Sequence, residues 1–145
     1  MMKTVILATA ALGMAADATA TSGMLDQFRW KNRILVVFAD SNNASAARQE
    51  NALLADRAGL AERDMVVLTV RGDAVRSVFG SGTDLTAQAL RREIKGPSEG
   101  EFAAVLIGKD GGQKLRVRDP IVAAELFAVI DTMPMRAAEQ QASKQ

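Results

Sequence analysis

The sequence contains no cysteine and no histidine in its 145 residues. Without cysteine there is no disulfide, no thiolate nucleophile and no Cys-x-x-Cys redox pair. Without histidine the usual general base and the imidazole metal ligand are absent as well. Thiol–disulfide exchange and thiol peroxidase chemistry are therefore excluded. The acidic residues do not have the spacing of a calcium loop, so we expect neither a metal nor a cofactor.

The chain also has few aromatic residues and a small net charge. Aromatic side chains make up 4% of the chain and the formal net charge is +1. Nucleic-acid binding uses stacking surfaces and an excess of cations, and this chain is poor in both. No segment approaches the roughly 20 consecutive apolar residues of a membrane span. We therefore predict no nucleic-acid partner and no membrane span. The length and the apolar content of the chain fit one globular domain.

The first 20 residues have the pattern of an export signal. Met1-Met2-Lys3 provides a short basic start, residues 4–16 are mostly apolar, and Ala18-Thr19-Ala20 provides small residues at a cleavage site. The alternative is an apolar N-terminal helix that is retained in the fold. The pattern favours cleavage, so the sequence predicts a signal peptide over residues 1–20 and a periplasmic or secreted mature chain that begins at Thr21.

An unbroken apolar run at residues 34–39 predicts the central strand of a sheet. A run without alternation is typical of a strand that helices cover on both faces. Two more apolar strands are predicted at 65–70 and 102–107, and residues 114–118 alternate as an edge strand does. The predicted helices lie at 45–58, 85–95 and from 120 to about 132.

Glycine, proline and polar segments mark the expected ends of these elements. Gly59 and Pro134 should each end a helix, and Thr83 or Asp84 should cap the helix at 85–95. Residues 71–83 are predicted to be irregular, and residues 137–145 form a polar tail that we expect to be frayed.

The order strand, helix, strand, helix, strand, strand, helix is that of a minimal thioredoxin-like fold. We therefore predict an α/β domain over residues 21–136, with three layers and a four-stranded mixed sheet that has helices on both faces (βαβαββα). The first strand should lie inside the sheet, with the second parallel to it and the final hairpin on its other side. In that fold the redox pair follows the central strand, where this chain has Asp-Ser-Asn-Asn at residues 40–43.

Polar residues at the carboxyl end of the central strand form the first candidate site, because open α/β sheets usually bind ligands there. Asp40, Ser41 and Ser45, with Glu50 nearby, are the clustered carboxylates and hydroxyls at this position. A thiol-independent enzyme could use them for acid–base chemistry. The simpler interpretation is that Asp40 and Ser41 cap the helix that follows.

The turn after the third apolar strand is the second candidate site. Lys109, Gly111, Gly112 and Lys114 could form a small anion-binding concavity from backbone N–H groups and two ammonium groups. The carboxylate of Asp110 would oppose a bound anion, so binding would be weak and sensitive to salt. The simpler interpretation is a structural hairpin, because its Asp-Gly pair is typical of such turns.

Four strings carry a resemblance that goes beyond fold class, at residues 28–39, 60–67, 105–112 and 130–136. Through them the chain resembles the exported domain-of-unknown-function family 4174. That family is similar to the thioredoxin-like domain at the C-terminus of the sushi-repeat-containing X-linked proteins of animal matrix. The resemblance covers nearly all of the mature chain. It implies an exported thioredoxin-like or peroxiredoxin-like scaffold, and it implies no catalytic residue.

Two classes of function stay open at this point. A chain that has a complete core but no thiol or imidazole is most simply a non-catalytic binding or interaction module. Its partner would be a protein or a small anionic ligand. The alternative is a thiol-independent enzyme that uses carboxylate and hydroxyl groups at the carboxyl end of the central strand.

Overall fold

A mixed five-stranded β-sheet forms the centre of the computed structural model, which describes residues 23–143. The predicted signal peptide lies outside the described residues. The order across the sheet is β3-β2-β1-β4-β5, with β1 parallel to β2 and all other neighbouring strands antiparallel. The strands are β1 (Arg33–Phe38), β2 (Met65–Arg71), β3 (Ala74–Phe79), β4 (Ala103–Ile107) and β5 (Gln113–Val117).

Helices cover both faces of this sheet. A short 3-10 helix (Leu25–Phe28) precedes β1. The α-helices are α1 (Ala44–Leu54), α2 (Arg57–Glu62), α3 (Ala87–Ile94), α4 (Ala123–Asp131) and α5 (Pro134–Ser143). The predicted α/β class and the helices on both faces are confirmed.

Strand β1 is buried along its whole length, as its apolar sequence predicts. Because side chains alternate along a strand, β1 contributes to two cores. Leu35 and Val37 belong to the core that includes residues of α1, α2 and α4. Val36 and Phe38 belong to the other, with residues of α3 and the 3-10 helix. The central position of this strand follows from that two-sided burial.

Strand β3 makes the sheet five-stranded, so the predicted count of four strands is wrong. Residues 71–83 were expected to be irregular, but Gly72 has a φ of +60° and allows a tight turn from β2 into β3. Arg71 then pairs with Ala74 across the antiparallel ladder. The sequence signal is weak because β3 is a partly exposed edge strand and has no continuous apolar run.

The predicted helix at 45–58 is divided into α1 and α2, and Gly59 does not end it. Gly59 lies inside α2, and Asp56 caps that helix by accepting a hydrogen bond from the Gly59 N–H at its Oδ1, at 2.9 Å. A Cβ at Gly59 would clash with the ring of Phe127. Close packing against α4, and not helix termination, therefore explains this glycine.

Other predicted helix boundaries also differ from the structure. Thr86, and not Thr83 or Asp84, caps α3 by accepting a hydrogen bond from the Ala89 N–H at 3.2 Å. Pro134 follows the end of α4 and is also the first residue of α5. Proline is well suited to a first helical position because its N–H is not needed there. Residues 137–143, predicted to be frayed, are helical.

Candidate functional site

Asp40 lies just after β1 and caps α1. Its Oδ2 accepts a hydrogen bond from the Ser45 N–H at 3.0 Å, and its Oδ1 accepts one from the Ala46 N–H at 3.1 Å. Burial alone would raise the pKa of Asp40, but these backbone hydrogen bonds hold it below the ordinary value. The carboxylate is therefore kept ionised at a helix N-terminus, and the capping interpretation is confirmed for Asp40.

The two serines of the strand-end site have separate partners. The predicted capping role is wrong for Ser41, because its Oγ donates to the carbonyl oxygen of Gly100 at 3.3 Å and accepts no N–H of α1. Ser45 Oγ accepts a hydrogen bond from Arg48 at 3.2 Å. The hydroxyls and the Asp40 carboxylate therefore do not bond to one another, and a catalytic use of this group stays a prediction.

Glu50, the other carboxylate near this site, has different partners from Asp40. It is buried, and its carboxylate accepts hydrogen bonds from Thr69 Oγ1 at 2.8 Å and from Arg76 at 3.1 Å. These bonds join α1 to β2 and β3. The arrangement satisfies a buried carboxylate, which explains Glu50 as a structural residue.

The β4–β5 turn satisfies its own donors. The Gly111 N–H donates to the Gly108 carbonyl at 3.0 Å. The Asp110 carboxylate accepts from the Gly112 N–H and from Lys114 Nζ, each at 2.9 Å. The bond from Lys114 is the main cause that lowers the pKa of Asp110. Asp110 thus takes the place that an external anion would need, which supports the hairpin interpretation; the anion site stays a prediction.

Lys109 is turned away from this hairpin and is buried. Its Nζ donates to Glu139 Oε2 at 2.7 Å and to Asp64 Oδ2 at 2.8 Å. The two ammonium groups of the proposed concavity therefore have other partners, because Lys109 binds two carboxylates and Lys114 binds a third.

Lys109 belongs to a cluster of charges that the sequence analysis did not find. Arg33 is almost fully buried and binds Glu139 through both terminal nitrogens, each at 3.2 Å. Arg136, also buried, binds Asp131 at 3.0 Å and contacts Glu62. We call this cluster the buried ion network. Its members are Arg33, Glu62, Arg63, Asp64, Lys109, Asp131, Arg136 and Glu139.

A groove of about 560 Å³ lies beside the buried ion network. Its walls are mostly apolar. Two of the apolar side chains that line it are exposed to solvent, Trp30 at 63% and Met135 at 37%. We call it the Trp30 groove, and its apolar residues are Trp30, Val129, Met133, Pro134 and Met135. Large exposed apolar side chains that meet in a concave surface are typical of binding sites.

The backbone of Trp30 is in an unusual conformation. Its φ of +67° lies in the left-handed region, which is a genuine outlier for a bulky residue. A hydrogen bond of 2.7 Å from the Trp30 N–H to the Lys109 carbonyl holds this turn in place. Such strain costs about 1–3 kcal/mol and is concentrated at functional positions. The turn therefore fixes the indole at the mouth of the groove at an energetic cost.

Metal binding and membrane insertion are two further possibilities for residues 23–143. This part of the chain holds no group of three or more acidic side chains arranged to bind a metal ion. None of its helices is both long and apolar enough to cross a membrane.

Most of the chain, including the Trp30 groove and the buried ion network, is similar to a known protein family. A family model described as Domain of unknown function (DUF4174) matches residues 24–139, which is most of the chain. The chain belongs to the DUF4174 family. Both the Trp30 groove and the buried ion network lie inside the DUF4174 match, and the resemblance found in the sequence is confirmed.

The DUF4174 domain of this chain is also similar to curated sushi-repeat proteins. It is 28% identical over 120 residues to the Sushi repeat-containing protein SRPX2 of Xenopus laevis, covering 80% of this chain and 26% of the relative. It is 28% identical over 119 residues to the human SRPX2, covering 79% and 26%. The chain thus spans about a quarter of the length of these relatives.

Proposed function

We propose that this DUF4174 domain is a non-catalytic interaction module that binds a segment of a partner protein in the Trp30 groove. The observation that carries the proposal is the exposed indole of Trp30 on a strained backbone. Tryptophan is among the residues that contribute most to binding when a partner covers them. Exposure and strain together have no evident benefit for folding, so they favour a role in binding.

The composition of the groove supports a polypeptide segment as the occupant. Met133 and Met135 are flexible and polarisable, and such side chains adapt to apolar groups of different shape. The region of SRPX2 that is similar to this chain makes up about a quarter of that protein and is joined to other parts of it. Both features fit a domain that acts by contact with another protein.

The sheet supports a thioredoxin-like scaffold for this module. Strand β1 has β2 parallel to it on one side and the antiparallel β4–β5 hairpin on the other. That is the arrangement of the minimal thioredoxin-like core, with β3 added at the outer edge of β2. We propose that this scaffold presents the groove and performs no thiol chemistry.

Export is a further part of the proposed function. The basic start, the apolar segment and Ala18-Thr19-Ala20 support cleavage before Thr21 and a periplasmic or secreted mature protein. We expect mass spectrometry of the protein from its native host to find Thr21 as the first residue, in an extracytoplasmic fraction. An intact Met1 in the cytoplasmic fraction would contradict this prediction.

Trp30 allows a direct test of the groove because it is the single tryptophan of the chain. Peptides selected from a phage-displayed random library on the mature protein should move the Trp30 emission to shorter wavelength, since binding removes the indole from water. Trp30→Ala should weaken the Kd of labelled peptides, measured by anisotropy, by at least about tenfold, as expected for a tryptophan at an interface centre.

Val122→Ala is the matched control, because Val122 is a large apolar residue that is 52% exposed and does not line the groove. It should leave peptide binding unchanged. Failure to enrich any peptide, or peptides that bind Trp30→Ala as tightly as the parent protein, would disprove the proposed binding site.

A further inference from the structure

We infer that the segment bound in the Trp30 groove is acidic, with carboxylates beside its apolar anchor; this inference rests on the proposed function. The three cations that line the groove, Arg33, Lys109 and Lys114, are already bonded to carboxylates, which are those of Asp64, Asp110 and Glu139. The two residues next to Trp30 in the chain are also cations, Arg29 and Lys31.

The unpaired positive charge beside Trp30 lies at its two neighbours, Arg29 and Lys31. Both residues are exposed, and within residues 23–143 neither has a carboxylate oxygen within 4.0 Å. The guanidinium of Arg29 lies over the β4–β5 turn, with a nitrogen 3.0 Å from the place of a Cβ at Gly111. Asp110, which directly precedes Gly111 in the chain, lines the groove. Because both cations are next to Trp30 in the chain, they would attract a carboxylate that lies beside the apolar anchor of the bound segment.

The selected peptides provide the test. We expect them to contain more Asp and Glu than the starting library, and to bind more weakly as the salt concentration rises. The double variant Arg29→Gln, Lys31→Gln should weaken the Kd by about fivefold to tenfold at low salt, as expected for the loss of two exposed ion pairs. Trp30 emission reports binding in every case.

The control is the double variant Arg71→Gln, Arg118→Gln. It removes the same charge from two exposed residues that do not line the groove, and it should leave binding unchanged. Peptides that shift Trp30 emission but show no acidic excess and bind R29Q/K31Q normally would overturn the inference and leave the proposed function intact. An equal loss in both double variants would overturn it as well. If no peptide shifts Trp30 emission, the proposed function fails first.

Discussion

Replacing Glu139 by alanine will lower the free energy of unfolding by about 3 kcal/mol, because it removes the shared carboxylate of two buried cations. Arg33 is 1% exposed and Lys109 is 8% exposed, and both bind Glu139. Arg33 would lose its only carboxylate partner among the described residues, and Lys109 would keep Asp64 alone. We expect urea unfolding to show this loss and the Tm to fall by roughly 10 °C.

Gln141→Ala is the matched control for this substitution. Gln141 lies on the same helix, α5, and is exposed, so its replacement should change the free energy of unfolding by less than about 0.5 kcal/mol. A Glu139→Ala protein as stable as this control would show that the buried ion network does not stabilise the fold.

The pH dependence of stability offers a second measurement on Glu139. Burial alone would raise its pKa, but the hydrogen bonds from Arg33 and Lys109 hold it below the ordinary value of 4.5. The unfolded state therefore binds more protons than the folded state, and this contribution is lost as the pH falls below about 4.5 through the lower folded pKa. The parent protein should lose stability over that range. Glu139→Ala should lose less, because the titrating group is gone.

Gln49→Leu will also destabilise the fold by about 3 kcal/mol, since it leaves two buried backbone groups without partners. Gln49 is fully buried in α1. Its Nε2 donates to the Ile121 carbonyl and its Oε1 accepts from the Ile121 N–H, each at 2.8 Å. Leucine has a similar volume and no polar group. The lost stability would therefore measure these two hydrogen bonds, which join α1 to the segment before α4.

Asn51→Leu introduces the same side chain into the same helix at an exposed position. Urea unfolding should show a change of less than about 0.5 kcal/mol for this control. If Gln49→Leu unfolds at the same urea concentration as Asn51→Leu, the paired hydrogen bonds contribute nothing to the fold.

The buried ion network and the Trp30 groove depend on the same helix. Pro134 and Met135 at the start of α5 line the groove, and Glu139 one turn later holds α5 against β1 through Arg33. Loss of Glu139 would therefore loosen one wall of the groove as well as the fold. The stability of the fold and the shape of the proposed binding surface therefore depend on the same contacts of α5.

Local sequence determined the features that depend on neighbouring residues. The apolar run of β1 predicted a central strand because only a strand covered on both faces can bury every side chain. Asp40 was predicted to cap a helix because it precedes one, and its carboxylate bonds to the first N–H groups of α1. The family resemblance was also readable, because its strings are continuous along the chain.

Tertiary structure alone decided the features that join distant residues. Arg33 and Glu139 are 106 residues apart, and charged side chains are exposed by default, so no local pattern marks them as a buried pair. Strand β3 is stabilised by pairing with β2 and not by an apolar run of its own. The exposed Trp30 has a positive φ and a backbone hydrogen bond to Lys109, a residue that only the folded chain brings to it.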